Sequence, residues 1–120
     1  MKIKRKRANK ANKEYIVLSI KIYSDEISFR LTNEEDDKES PFIEDKNMCE
    51  IISNKIPSNW VINIDNIGNL EMLPESWLNK NWKYSFWESY YDECDSKAIE
   101  CYYKERQIIY ACEGISVPLY

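Results

Sequence analysis

Pro74-Glu75-Ser76-Trp77-Leu78-Asn79-Lys80-Asn81-Trp82-Lys83-Tyr84-Ser85-Phe86-Trp87-Glu88-Ser89-Tyr90-Tyr91-Asp92-Glu93-Cys94-Asp95 holds three of the chain's four Trp, one of its three Phe and three of its nine Tyr. Rings bury large apolar areas and dominate the energetics of cores and interfaces. Any sheet formed elsewhere in the 120 residues must pack on this stretch. Pro74 suits the first turn of a helix, with Glu75 near its positive end. Asn79-Lys80-Asn81 interrupts the pattern, which predicts a short turn and then a longer helix. Within that helix Trp82, Phe86 and Tyr90 are spaced by four, as are Trp87 and Tyr91, and together they form one broad aromatic face.

The sheet is legible upstream. From Tyr15, residues Ile16, Leu18, Ile20 and Ile22 alternate with Tyr15, Val17, Ser19, Lys21 and Tyr23, the period of a half-buried strand. Ser24-Asp25 offers a turn, and Ile27, Phe29 and Leu31 alternate on the far side, which completes an antiparallel hairpin. A second hairpin follows from Trp60, Ile62 and Ile64 on a common face, a connection at Asn66-Ile67-Gly68, and Leu70 and Met72 returning. Between the hairpins, Pro41 to Ile56 favours a short helix through Met48, Ile51, Ile52 and Ile56, although Cys49-Glu50-Ile51-Ile52 equally suits the start of a strand. Beyond the aromatic stretch, Asp95-Ser96 is an N-cap signal for another helix, with Ala98, Ile99, Tyr102 and Tyr103 as its apolar stripe. Arg106, Ile109 and Tyr110 keep helical spacing up to a stop at Gly114, although residues 108–112 also suit a short buried strand. The predicted class is α+β: an antiparallel sheet of two hairpins with the aromatic-rich C-terminal helices on one face.

Composition narrows the chemistry. A chain of this length fits one domain with a real core. The 43% hydrophobic and 32% charged content is ordinary for a folded domain. No run approaches the roughly 18 apolar residues of a membrane span. The basic start is not followed by the hydrophobic run of a signal peptide, so a cytoplasmic protein is expected. Cys49, Cys94, Cys101 and Cys112 form no Cys-x-x-Cys pair, and the chain has no His. Free and mostly buried thiols are therefore expected, with neither metal nor cofactor. The lack of His also excludes Ser-His-Asp and Cys-His catalysis. Glu71, Glu75 and Glu88 lie near the rings, but no spacing marks them as a glycosidase pair, and no catalytic residue is assigned.

Charge is unevenly placed. Residues 1–13 carry seven of the 17 basic side chains and no acidic one, so residues 14–120 hold ten basic against all 21 acidic groups, a net of −11. The leader 1–13 is expected to be a disordered tail or an edge strand, with 14–120 as the single domain. The negative body would repel a nucleic-acid backbone and steer a basic protein partner toward itself. Two acidic clusters stand out: Glu34, Glu35, Asp36, Asp37 and Glu39 before Pro41, and Asp92, Glu93 and Asp95 after the aromatic helix. The second opposes the dipole at a helix C-terminus, which suggests a compensating use such as meeting a basic surface. These residues, with Trp87 and Tyr91 as ring anchors, are the expected partner-binding set.

The run from Trp60 to Asp95 comprises a strand, a Gly turn, a strand, Pro74-x-x-Trp77-Leu78, then Phe86-Trp87-Glu88 with Tyr90-Tyr91-Asp92. It resembles small cytosolic immunity proteins that accompany bacterial toxins of the contact-dependent and polymorphic kind. Such proteins span unrelated folds without a common catalytic motif, so no functional residue carries over. The resemblance implies a non-enzymatic protein that binds one toxin domain and masks or distorts its active site. A toxin acting on nucleic acid would usually be basic and would suit the negative body; the basic leader departs from that picture. Two alternatives stand beside it: a regulatory module that binds nucleic acid through the leader, and a phage-encoded inhibitor of a host nuclease.

Overall fold

The computed structural model describes residues 1–6, 13–32 and 41–116. Its strands are β1 (Lys2–Arg5), β2 (Glu14–Tyr23), β3 (Glu26–Leu31), β4 (Phe42–Asp45), β5 (Cys49–Ser53), β6 (Trp60–Ile64) and β7 (Leu70–Pro74), followed by helices α1 (Phe86–Tyr91) and α2 (Ser96–Cys112). All pairings are antiparallel. Both predicted hairpins are present, as β2–β3 and β6–β7, and the α+β class stands.

The ten-residue β2 organises the sheet. Along one edge it pairs with β3, while its other edge is shared by β1 near Ile16 and β7 near Ile20–Ile22. The order therefore runs β4-β3-β2-β1-β5, with β7 and then β6 branching from the far half of β2. Strands β4 and β5 stand at opposite ends of that order, yet only the 3-10 turn Lys46–Met48 separates them in sequence. The sheet must curl until its ends approach each other, as in a partly open barrel. Residues directly opposite in register share a face, so Tyr15 lies with Ile3, Val17 with Leu31, and Leu31 with Phe42. Ile3, Val17 and Leu31 are fully buried along this concave side, and Tyr15 meets Phe42 edge-on at 5.7 Å.

Four expectations need correction. The first concerns β1, which is neither tail nor edge: it lies between β2 and β5. Its charges are accommodated because Lys2 pairs with Glu14 at 3.2 Å and Arg5 with Glu44 at 2.8 Å. The Arg5 guanidinium also stacks 4.9 Å from the Phe42 ring. Secondly, Pro41–Ile56 forms β4, the 3-10 turn and β5 rather than a short helix, so the strand alternative at Cys49–Ile52 is the one realised. Asp45 caps that turn by accepting from the Asn47 amide, and Cys49 continues into pairing with Arg5.

Thirdly, β2 is buried on both faces from Tyr15 to Ile20. A bulge between Val17 and Ser19 shifts the register by one residue, and this reverses the alternation. Val17 consequently joins the face of Ile20 and Ile22, while Ser19 and Arg30 face the helices. Finally, the aromatic helix is shorter than its ring spacing suggested. Two 3-10 turns, Glu75–Trp77 and Asn79–Asn81, precede it, and Trp82 lies outside α1 with its indole N–H bonded to the Ser76 carbonyl at 2.8 Å. Ser85 starts α1 instead by accepting from the Glu88 amide.

α2 settles the ambiguity over residues 108–112: they are helical. Asp95 caps its start by accepting from the Lys97 amide. Gly114, at φ +70°, closes its end. There Ile115 N–H reaches the Tyr110 carbonyl and Gly114 N–H reaches that of Ala111, the paired bonds of a Schellman stop. The helices and the sheet share one core, in which Trp77 stacks on Phe86 at 5.0 Å and on Tyr102 at 5.8 Å. Arg106 is buried among the rings of Tyr102, Tyr103 and Tyr110, its Cζ 4.8 Å from the nearest centroid. Guanidinium–ring attraction makes that burial tolerable.

Candidate functional site

Sequence expectation divides three ways in the structure. Glu34, Glu35, Asp36, Asp37 and Glu39 lie outside the described residues. Asp92 and Glu93 are exposed at the C-terminal end of α1, and among the described residues neither is in a salt bridge. Asp95, half-buried, is already used as the α2 cap. Placing a cap at that position satisfies an α2 amide that would otherwise be unpaired, so Asp95 is primarily structural.

Trp87 is not a free anchor. It is half-buried against the core, with Trp77 at 5.3 Å, Phe86 at 4.8 Å, Tyr90 at 5.7 Å and Tyr91 at 5.5 Å. Arg30 from β3 closes the stack, its Cζ 4.1 Å from the Trp87 centroid. Burial pulls the Arg30 guanidinium below its ordinary value, and the neighbouring Tyr91 and Glu71 partly offset that. It stays charged at neutral pH, since arginine does not lose its proton in proteins. The exposed ring that the spacing did not single out is Tyr84, just before α1. Its position outside the helix, set by the Ser85 cap, frees it from the apolar face.

Tyr91 joins two parts of the chain. Its ring stacks on Trp87, and its hydroxyl donates to the Pro41 carbonyl while accepting from Arg30 Nη1 at 3.4 Å. Burial raises the Tyr91 phenol above its usual range, and Arg30 works against that rise. The contact fixes Pro41, where the chain enters β4, beside the residue that precedes Asp92 and Glu93.

Elsewhere electrostatics serve the fold. Glu71 sits at 3.9 Å from Lys21, yet its carboxyl is raised: burial outweighs Lys21 and Arg30, because an ion contact this long recovers little of the lost hydration. Burial, then Glu44, pushes the Cys49 thiol up to about 11. All four cysteines are free; Cys49 is buried as expected, whereas Cys94 is exposed. Among the described residues no cluster of His, Cys, Asp or Glu could hold a metal ion. The surface depressions are open; one is lined by Ile56, Ser58, Gln107, Ile108, Ala111 and Cys112. No helix of the described residues is long and apolar enough to cross a membrane.

No protein-family model matches the chain, and neither a curated protein nor a solved structure matches it.

Proposed function

We propose that this protein is a non-enzymatic inhibitor that binds and neutralises a cognate bacterial toxin domain through its acidic surface, with a basic nuclease domain as the fitting partner. One contact carries the reading. The Tyr91 hydroxyl on the Pro41 carbonyl brings the exposed carboxylates Asp92 and Glu93 beside the point where the chain leaves the Glu34–Glu39 segment. Pro41, the first described residue after that acidic segment, is thereby held by the residue that precedes Asp92 and Glu93. Asp92 and Glu93, in no salt bridge among the described residues, in a body of net −11 favour fast, salt-sensitive capture of a cationic surface. Tyr84 and the outer edge of Tyr91 supply exposed ring area beside charge, a combination common at binding hot spots. In this reading the protein works in the cytoplasm, where the toxin acts, and needs no cofactor.

The test is co-expression with the product of the adjacent gene. The expected result is relief of toxicity together with a stable complex. Asp92→Lys with Glu93→Lys, and separately Glu35→Lys with Asp36→Lys, should each lower the association rate about ten-fold or more at low salt and flatten its salt dependence. Undiminished toxicity with no complex defeats the proposal; an unchanged rate in both charge-reversed variants removes the acidic surface from it.

A further inference from the structure

Strand β6 ends the branch of the sheet that leaves β2 through β7. Its hydrogen-bond parity follows from the hairpin turn. Asp65 N–H donates to the Asn69 carbonyl, and the Asp65 carbonyl accepts from Gly68 N–H, so Asp65 directs both backbone groups inward. Asn63 and Val61, two and four residues back, do the same toward Glu71 and Leu73. Ile62 and Ile64 therefore direct their N–H and C=O groups away from β7. Two details agree: Pro74, opposite Trp60, has no N–H to give, and the Trp60 N–H turns outward to the Pro57 carbonyl. Among the described residues no strand pairs with this outward edge.

The side chains on this edge are also unusual for a solvent-facing strand. Ile62 is 63% exposed and Ile64 64%, and Ile67 in the adjoining turn is 83% exposed. Trp60–Ile64 contains no charged residue, no proline and no bulge, the devices that ordinarily keep sheet edges from pairing. In a chain with 32% charged residues that gap is local and specific.

We infer that the β6 edge pairs antiparallel with β6 of a second copy, about a two-fold axis at Asn63. In that register Ile62 lies opposite Ile64 of the partner subunit, and the outward backbone groups of both meet in four hydrogen bonds. The isoleucines of the two copies then adjoin on one face, continuing the row formed by Met72 and Ile20 across the sheet. The side chains of Asn63 from the two copies meet on the opposite face, where amide can bond to amide. Charge selects this occupant. Asp65, just beyond the strand end, faces Val61 of the partner subunit, and the two copies of Asp65 are about 14 Å apart along the strands, beyond the screening length of roughly 8 Å at physiological ionic strength; Glu71, opposite Asn63 in its own subunit, lies 3.9 Å from Lys21. A basic toxin would find no charged side chain within Trp60–Ile64 to pair with, whereas a second uncharged β6 meets no mismatch there. The edge is thus separate from the acidic surface, and its dimer stands or falls independently of the proposed inhibitor role.

A pairing of one short strand is small, so the expected dissociation constant is on the order of 10–100 μM. Sedimentation equilibrium of the full chain should show the mass rising from 14.4 kDa toward twice that value as the concentration passes through this range. Ile62→Lys with Ile64→Lys replaces exposed side chains, so the fold, checked by circular dichroism, should persist while the dimer weakens at least 30-fold. Ile67→Lys, outside the paired strand, should weaken it less than five-fold, which separates strand pairing from general stickiness. The axis has its own readout. In a Cys94→Ser background, Asn63→Cys should form an intersubunit disulfide readily, since opposite residues that do not exchange backbone bonds approach to roughly 4.5 Å between Cα atoms. A mass that stays at 14.4 kDa up to millimolar concentration overturns the inference. So does a double-lysine variant that associates as well as the parent, or an Asn63→Cys chain that does not cross-link while dimeric.

Discussion

Replacing Arg30 with alanine tests how the aromatic lid is fastened to the sheet. The guanidinium lies 4.1 Å from the Trp87 centroid and donates at 3.4 Å to the Tyr91 hydroxyl. A partly desolvated cation over an indole contributes about 1–2 kcal/mol. The hydrogen bond is long and adds about 0.5 kcal/mol. Loss of the aliphatic stem between β3 and α1 adds about 0.5 kcal/mol more. Arg30→Ala should therefore cost about 2–3 kcal/mol, a Tm decrease of roughly 6–15 °C for a domain of this size. A double-mutant cycle with Trp87→Leu, read by urea denaturation, isolates the pair and should return a coupling of about 1–2 kcal/mol. Tyr91→Phe removes the accompanying bond and the Pro41 contact while leaving the stack. A coupling below about 0.3 kcal/mol, the scatter of additivity for independent sites, would refute the assignment of Arg30 as the clasp.

Three further outcomes are expected. The Met1 ammonium lies 2.8 Å from Glu113, with side chains 7% and 3% exposed; burial alone would raise that carboxyl, but hydrogen bonds from the ammonium and Ser53 overcome it and hold the group below its ordinary value. A depressed folded pKa gives stability that is complete above the unfolded carboxylate value near ~4.3 and lost as pH falls through the folded one. Glu113→Gln should thus lower stability by about 1–3 kcal/mol at pH 7, with the gap to the parent closing on acidification toward pH 3 in parallel melts. Native thiol labelling at pH 8 followed by mass spectrometry should modify exposed Cys94 at least about ten times faster than Cys49, whose thiolate is scarce; equal rates would contradict the burial of Cys49. Ser85→Ala should cost about 1 kcal/mol by removing the cap on the Glu88 amide, whereas Ser85→Asp should restore most of it, as judged by chemical denaturation.

Legibility varied with how locally each feature is specified. The two hairpins and the start of α2 at its Asp95 cap could be read because their signals repeat within a few residues or sit at fixed cap positions, whereas residues 108–112 stayed ambiguous between helix and strand. β1 was hidden and β5 left ambiguous with a helix for the opposite reason. Lys2-Ile3-Lys4-Arg5 looks like a solvated leader until Glu14 and Glu44 arrive as partners and Phe42 as a stacking surface. The bulge in β2 has no sequence signature, since Val17-Leu18-Ser19 continues the alternation through the very point where the register slips. In the candidate site Asp92 and Glu93 are exposed, as their composition suggests, whereas Trp87 is half-buried against the core and Arg30. Spacing by four identifies a helical face but not which of its rings the sheet and Arg30 will cover. Tyr84 escaped notice because the helix boundary, one residue beyond it, depends on Ser85 being chosen as the cap.

By itself the sequence determined the α+β class, the antiparallel hairpins, the ring-rich lid, the cap of α2, and a body with strong negative charge. Each of these follows from periodicity, cap chemistry or composition, quantities that neighbouring residues carry without reference to distant ones. Tertiary structure alone decided that Lys2–Arg5 of the leader lie within the sheet between β2 and β5, that the ends of the sheet curl toward each other, and that Pro41 meets Tyr91 beside the acidic end of α1. It also decided that β6 keeps an uncharged edge with which no other strand of the described residues pairs. Those outcomes depend on which strand lies beside which, and that is set by burial and pairing summed over the whole chain.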